Sequence, residues 1–136
     1  MNRHYFWVAD RAGHRCEYCH APEKIFNFHF EVDHIFPSSL GGTDTEENLA
    51  LACTACNLFK SDLIEAFDEA AQSFIRLFHP RLDSWRDHFE VDREAATIQG
   101  RTDIGRVTVL CLKINSPRQI QARLEWMQMG IFRESS

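Results

Sequence analysis

The first half of the chain alternates short apolar segments with segments rich in turn-forming residues. Residues 5–13 have the spacing of a short helix. Phe26, Phe28 and Phe30 alternate with polar residues, which predicts a half-buried strand with aromatic side chains on one face, leading into an Asp-His pair. Turn formers fill the segment 37–48, which is therefore predicted to be a loop.

The second half carries longer periodic segments. After the apolar run 49–52, hydrophobic residues recur at helical spacing from about residue 57 to Pro80, which predicts one helix that Pro80 ends. The segment 88–98 predicts a hairpin, and Thr102 is a helix N-cap candidate. Ser116 followed by proline predicts the start of a last helix.

Composition is that of an ordinary folded protein. The chain has 136 residues with 44% hydrophobic and 26% charged content, which predicts one domain over residues 1–136. We find no apolar run of about 18 residues and no apolar core of an export signal near the start. We therefore expect a cytoplasmic protein without a membrane partner.

Charge is unevenly distributed along the chain. The formal net charge is −5, which argues against a uniformly basic surface of the kind that follows nucleic-acid phosphates. Residues 1–100 carry a net charge of −8, whereas residues 101–133 carry one of +4. The sequence thus predicts an acidic body with one basic segment.

Four of the five cysteines form two matched pairs, Cys16 with Cys19 and Cys53 with Cys56. Each pair has the two-residue spacing that presents two thiolates to one tetrahedral ion, and four thiolates leave no open position for water. The pattern predicts a structural zinc site, and a redox-active pair is the alternative. Cys111 is expected to be a small buried hydrophobic residue outside this site.

Between and after the cysteine pairs lies a second set of motifs. It comprises Asp33-His34 before Ile35-Phe36-Pro37, then Gly41-Gly42, Asn48-Leu49, Cys56-Asn57 and Lys60. In this order, and with the two cysteine pairs, residues 11–62 resemble the zinc-bearing branch of the HNH endonuclease family. The resemblance implies an α+β fold with a small ββα-metal core held by a four-cysteine zinc site. The extension, about residues 63–136, is expected to pack a hairpin and helices on that core.

The resemblance also implies roles for individual residues. His34 would activate the attacking water, and Asp33 and Asn57 would hold a catalytic Mg²⁺ or Mn²⁺ ion. Asn48 would support catalysis by holding the loop that carries the base. Neighbours in a regular strand point to opposite faces, so Asp33 and His34 address one site only if the strand breaks between them. The proline at position 37 is consistent with such a break.

Three cations are candidates for contacts with DNA phosphates. Lys60 follows Asn57 by one helical turn, and Arg118 and Arg123 lie outside the apolar stripe of the last predicted helix. The alternative for all three is an ordinary solvated helix face.

Together these observations favour a metal-dependent endonuclease that hydrolyses DNA phosphodiester bonds. The alternative is a non-catalytic zinc-stabilised module that binds nucleic acid or protein. A purely structural zinc domain that joins partners through Trp7, Trp85 and Trp126 is a third interpretation. The acidic body also allows a protein partner that supplies the substrate, and the sequence predicts no oligomeric state.

Overall fold

The computed structural model describes residues 1–134, which form an α+β fold as predicted. Helices and strands follow along the chain in the order α1 (Tyr5–Arg11), β1 (Glu31–His34), β2 (Leu49–Ala52), α2 (Thr54–Lys60), β3 (Glu65–Asp68), β4 (Ser73–Arg76), α3 (Trp85–His88), β5 (Phe89–Asp92), β6 (Thr97–Gly100), α4 (Asp103–Cys111) and α5 (Pro117–Gln128). The strands form three antiparallel pairs, β1–β2, β3–β4 and β5–β6.

The pair β1–β2 and the following α2 form the central ββα unit. The register places Asp33 opposite Ala50 and His34 opposite Leu49. All four residues of β2 are buried, because α1 packs against the pair with Tyr5, Val8 and Ala9. An apolar run without alternation is typical of a strand covered on both faces.

The predicted aromatic strand is wrong for residues 26–30. Strand β1 begins only at Glu31, and Phe26 instead packs its ring edge-to-face on Phe28 and Phe30. The partner strand sets this limit, since β2 has four residues and ends where Cys53 begins the turn into α2. Without a partner, the alternating segment has no ladder to join.

The single helix predicted from residue 57 to Pro80 is also wrong. Helix α2 ends at Lys60, because Ser61 adopts a positive φ of +49°, which a right-handed helix does not allow. The chain then forms the hairpin β3–β4, in which Phe67 lies opposite Phe74. The Asp68 carboxylate accepts the Ala71 N–H and so closes the turn between the strands.

Three predictions for the chain after Pro80 are confirmed, but Cys111, predicted to be buried, is only half-buried at the end of α4. Strands β5 and β6 form the predicted hairpin, and the Thr102 hydroxyl caps α4 by accepting the Gly105 N–H at 3.0 Å. Gly105 lies so close to the hairpin that a Cβ atom would approach His88 O to 2.0 Å. Helix α5 begins after Ser116 with Pro117 at its first position.

Among the helices of residues 1–134, we find none with the length and apolar character needed to cross a membrane.

The buried carboxylate of Glu23 joins the first turn of α1 to the start of the strand region. It accepts hydrogen bonds from the Tyr5 hydroxyl and the Phe30 N–H, both at 2.6 Å, and lies 2.8 Å from His14 Nδ1. Burial raises the pKa of Glu23, but these hydrogen bonds outweigh burial and lower it below its usual 4.5.

We predict that Glu23→Ala lowers the free energy of unfolding by about 3 kcal/mol, because the Tyr5 hydroxyl and Phe30 N–H lose their acceptor. Chemical denaturation measures this loss, with the exposed Lys24→Ala as control. The unfolded chain binds the proton first as pH falls below about 4.5, so the difference from wild type should shrink there. Equal stability of both variants at pH 7 would contradict the prediction.

Candidate zinc and nuclease site

Four cysteine side chains meet inside the fold. The Sγ atoms of Cys16, Cys19, Cys53 and Cys56 all lie within 4.8 Å of one another, and all four residues are buried. Cys19 Sγ and Cys53 Sγ are 3.6 Å apart. Four thiols in this arrangement fit the tetrahedral thiolate site that zinc prefers. The predicted four-cysteine cluster is therefore confirmed.

Two tight turns bring the cysteines together. In the first turn the Cys19 N–H points at Cys16 Sγ, and a bridge between Arg15 and Pro22 closes the base. In the second turn Cys53 is the N-cap of α2, and its Sγ accepts the Cys56 N–H at 3.4 Å. Each sulfur pair is thus oriented by backbone donors as well as by the chain path.

Asp33 and His34 lie on opposite faces of β1, because the predicted break between them is absent. The strand runs through both residues, and its pairing with β2 continues to His34. The Asp33 side chain is 4% exposed, whereas that of His34 is 24% exposed. The two side chains therefore do not address one site.

Asp33 forms a buried cluster with Lys60 and Tyr18. Tyr18 Oη donates to Asp33 Oδ2 at 2.7 Å, and Lys60 Nζ lies 3.3 Å from the same oxygen and 3.4 Å from Oδ1. Burial raises the pKa of the Asp33 carboxyl, and the Lys60 ammonium and Tyr18 hydroxyl act against that rise. This carboxylate is occupied by protein groups on both oxygens.

Lys60 is buried, which corrects the surface position that was expected for a phosphate contact. Its side chain is 2% exposed and its Nζ also donates to the carbonyls of His34 and Ile35, both at 3.1 Å. The helical spacing that suggested a surface position instead turns Lys60 inward, towards the end of β1. The Lys60 ammonium thus connects the last turn of α2 to the end of β1 and to Ile35, the next residue.

His34 faces a carboxylate from the loop that follows β1. Its Nε2 lies 2.5 Å from Asp44 Oδ1, and the Asp44 side chain is 52% exposed. The second carboxylate oxygen, Oδ2, lies 3.8 Å from His4 Nε2. The hydrogen bond from His34 lowers the pKa of the Asp44 carboxyl.

Asn48 holds the loop between His34 and β2. Its Oδ1 accepts the Phe36 N–H at 2.8 Å, and its Nδ2 donates to the carbonyls of Phe36 and Thr43. Gly42 allows the loop to close, because a Cβ at this position would lie 1.8 Å from Phe36 O. One buried amide thus fixes both ends of the loop that carries Asp44.

Asn57 lies in the middle of α2 and is half-buried. It makes no side-chain hydrogen bond to any residue within 1–134. Asp33, whose two oxygens already bind Lys60 and Tyr18, does not fit as a ligand of the catalytic metal that the resemblance implies.

Arg123 does not lie on the surface, which corrects the second phosphate-contact prediction. It is fully buried and donates to Ala96 O and Ile114 O, both at 2.8 Å. Burial lowers the pKa of Arg123, and negative charge on the four zinc-site cysteines acts in the opposite direction. The guanidinium therefore lies within electrostatic reach of the cysteine cluster.

The basic segment is partly neutralised by carboxylates. Arg106 pairs with Asp68 at 3.1 Å, and Arg101 lies 3.7 Å from Glu90. Arg118 is exposed on α5. The positive surface is therefore smaller than the sequence predicts.

The sequence interpretation missed Asp44, His4 and Tyr18. Asp44 lies in a segment of turn formers, where an aspartate is expected for backbone reasons alone. Tyr18 and His4 carry no signal in a single sequence. The position of Asp44 between Gly-Gly and Asn48 was the one available indication.

Comparison with known families gives a match over the segment that holds the cysteine cluster. Residues 16–63 match the family model described as HNH endonuclease. The matched segment contains all four clustered cysteines and the ββα unit. The resemblance inferred from the motifs is thereby confirmed over this segment, and it indicates a nuclease-type domain. Searches of curated proteins and of solved structures gave no significant match.

We predict that the purified protein contains one zinc ion, held by the four clustered cysteines. Removal of zinc by a strong chelator should unfold the ββα unit, because such sites contribute about 10 kcal/mol or more. Metal analysis and circular dichroism measure both effects. Cys53→Ser should lose the zinc, whereas Cys111→Ser, outside the cluster, should keep it. A disulfide within the cluster would contradict the assignment.

A second prediction compares the two arginines of α5. Arg123→Met should lower the free energy of unfolding by about 3 kcal/mol, because two buried carbonyls lose their donor. Arg118→Met should change it by less than about 0.5 kcal/mol, since this side chain is exposed. Denaturation curves measure both values, and similar losses in the two variants would refute the buried role of Arg123.

Proposed function

We propose that the protein is an endonuclease that hydrolyses DNA phosphodiester bonds, with His34 as the general base. The observation that carries the proposal is the position of His34. Its imidazole is partly open to solvent at the end of β1, beside a carboxylate, within the segment that matches the HNH endonuclease model. Neutral imidazole accepts a proton from water near pH 7.

The reaction follows from this base. His34 takes one proton from a water molecule aligned with the scissile bond, and the resulting hydroxide attacks phosphorus. The bond between phosphorus and the 3′-oxygen breaks, and the leaving oxygen takes a proton from solvent. The products carry a 5′-phosphate and a 3′-hydroxyl.

Two arginines are proposed to meet the negative charge of the DNA. Arg3 reaches the His4 ring beside Asp44, with Arg3 Nε 3.3 Å from His4 Nε2, and so brings a positive charge towards the base. The exposed Arg118 would contact a more distant phosphate. Phosphate contacts of this kind position the backbone without reading sequence.

The family resemblance implies a catalytic Mg²⁺ or Mn²⁺ ion, which would polarise the phosphate when bound. Asp33 does not fit as its ligand, because the Lys60 ammonium occupies the place of a cation beside both oxygens. We therefore assign no step of the mechanism to such an ion through Asp33.

The same ion pair is the one observation that favours the non-catalytic alternative. A domain whose implied metal ligand is neutralised by a buried lysine would retain the zinc-held scaffold as a binding module. The alternative predicts DNA binding without cleavage in any divalent metal, which the following assay detects.

The test is incubation of the purified protein with supercoiled plasmid in Mg²⁺, in Mn²⁺ and in EDTA. We expect nicked plasmid from the wild type and a loss of at least about 10²-fold in rate from His34→Ala, because a positioned base contributes that much. The control is His29→Ala, an exposed histidine whose ring packs on Tyr5 rather than lying at Asp44. Equal rates for His34→Ala and wild type would refute the role of His34.

A further inference from the structure

The contact between His34 and Asp44 determines which nitrogen of the imidazole is free. His34 Nε2 lies 2.5 Å from Asp44 Oδ1, which is a hydrogen-bond distance. Asp44 is exposed, and the bond from His34 lowers the pKa of its carboxyl, so at neutral pH the group is ionised and only accepts. The proton of neutral His34 therefore resides on Nε2.

The backbone around Asp44 and that of His34 are both held by hydrogen bonds to buried residues. The Thr43 carbonyl, just before Asp44, accepts from Asn48 Nδ2 at 2.9 Å. The Thr45 carbonyl, just after it, accepts the Asn48 N–H at 2.9 Å. The His34 carbonyl is bound by the buried Lys60 ammonium. Two buried residues, Asn48 and Lys60, thus fix the backbone on either side of the pair.

The Asp44 carboxylate forms a hydrogen bond with His34 but not with the neighbouring His4. Its other neighbour, His4 Nε2, is 3.8 Å from Oδ2, which is beyond hydrogen-bond distance. One oxygen is therefore available to His34 alone.

We propose that Asp44 is a positioning residue, which holds His34 in the tautomer with the proton on Nε2 and leaves Nδ1 free to take the proton from water. The proposal rests on the proposed nuclease function, and it adds a residue to that site. Asp44 does not touch the reacting atoms. It orients the ring and stabilises the imidazolium that forms when His34 accepts the proton.

The first arm of the test is nitrogen NMR of ¹⁵N-histidine-labelled, zinc-loaded full-length protein, with the His34 signals assigned by their loss in His34→Gln. In the wild type, Nε2 should carry the proton. In Asp44→Asn the amide N–H₂ can donate to Nε2, so the proton should move towards Nδ1. The control Glu47→Gln removes one exposed negative charge from the same loop and should leave the tautomer unchanged. An unchanged tautomer in Asp44→Asn would overturn the proposal.

The second arm is plasmid nicking by the same variants. Asp44→Asn should lower kcat about 10²-fold or more with little change in KM, and Asp44→Glu should recover part of the loss. Full activity of Asp44→Asn would overturn the proposal. If the wild type does not nick DNA, the proposed nuclease function fails, and the NMR arm alone then decides whether Asp44 sets the tautomer.

Discussion

The four-cysteine cluster is the interaction on which the rest of the structure depends. It joins the turn after α1 to the junction of β2 and α2, two segments separated by more than thirty residues of chain. The C-terminal extension packs on the turn that contains Cys16 and Cys19. Trp85 stacks on His20 at 4.1 Å, and its Nε1 donates to Tyr18 O. A bound zinc ion would therefore organise the packing of α3 as well as the ββα unit.

A second buried feature, the pair of Asp33 and Lys60, connects this interior to the open side of the site. Removing one partner of a buried ion pair typically costs about 3–5 kcal/mol, so the pair is a strong constraint on geometry even where its net stabilisation is small. Lys60 also binds the carbonyls of His34 and Ile35. The backbone that carries the partly exposed imidazole is thus held by a buried cation.

Features with a short-range chemical signature could be predicted from the sequence. The paired cysteines, the Thr102 cap, the Ser116-Pro117 helix start and the β5–β6 hairpin all depend on neighbours within a few residues. The errors depend on distant partners instead. The aromatic segment 26–30 lacks a strand to pair with, and the 65–76 hairpin has apolar spacing that also fits a helix. Periodicity alone does not separate these cases.

The charged residues of the site show the same limit. Lys60 and Arg123 are cations in helices, and a single sequence gives each of them a surface position by default. Their burial depends on acceptors from other segments: the Asp33 carboxylate for Lys60, and the carbonyls of Ala96 and Ile114 for Arg123. Asp44 is exposed, and its role could not be predicted either. Its contact with His34 depends on a loop that Asn48 closes.

The Asp33–Lys60 pair also has a consequence for strand alignment. Strand β1 contains one apolar residue, Val32, so hydrophobic patterning selects its alignment with β2 only weakly. A slip by one position would turn Asp33 to solvent and His34 towards Lys60, leaving a buried ammonium without a counter-ion. The misaligned pairing is penalised by charge rather than by exposed hydrocarbon. A salt bridge that no solvent reaches therefore keeps the imidazole on the outside of the protein.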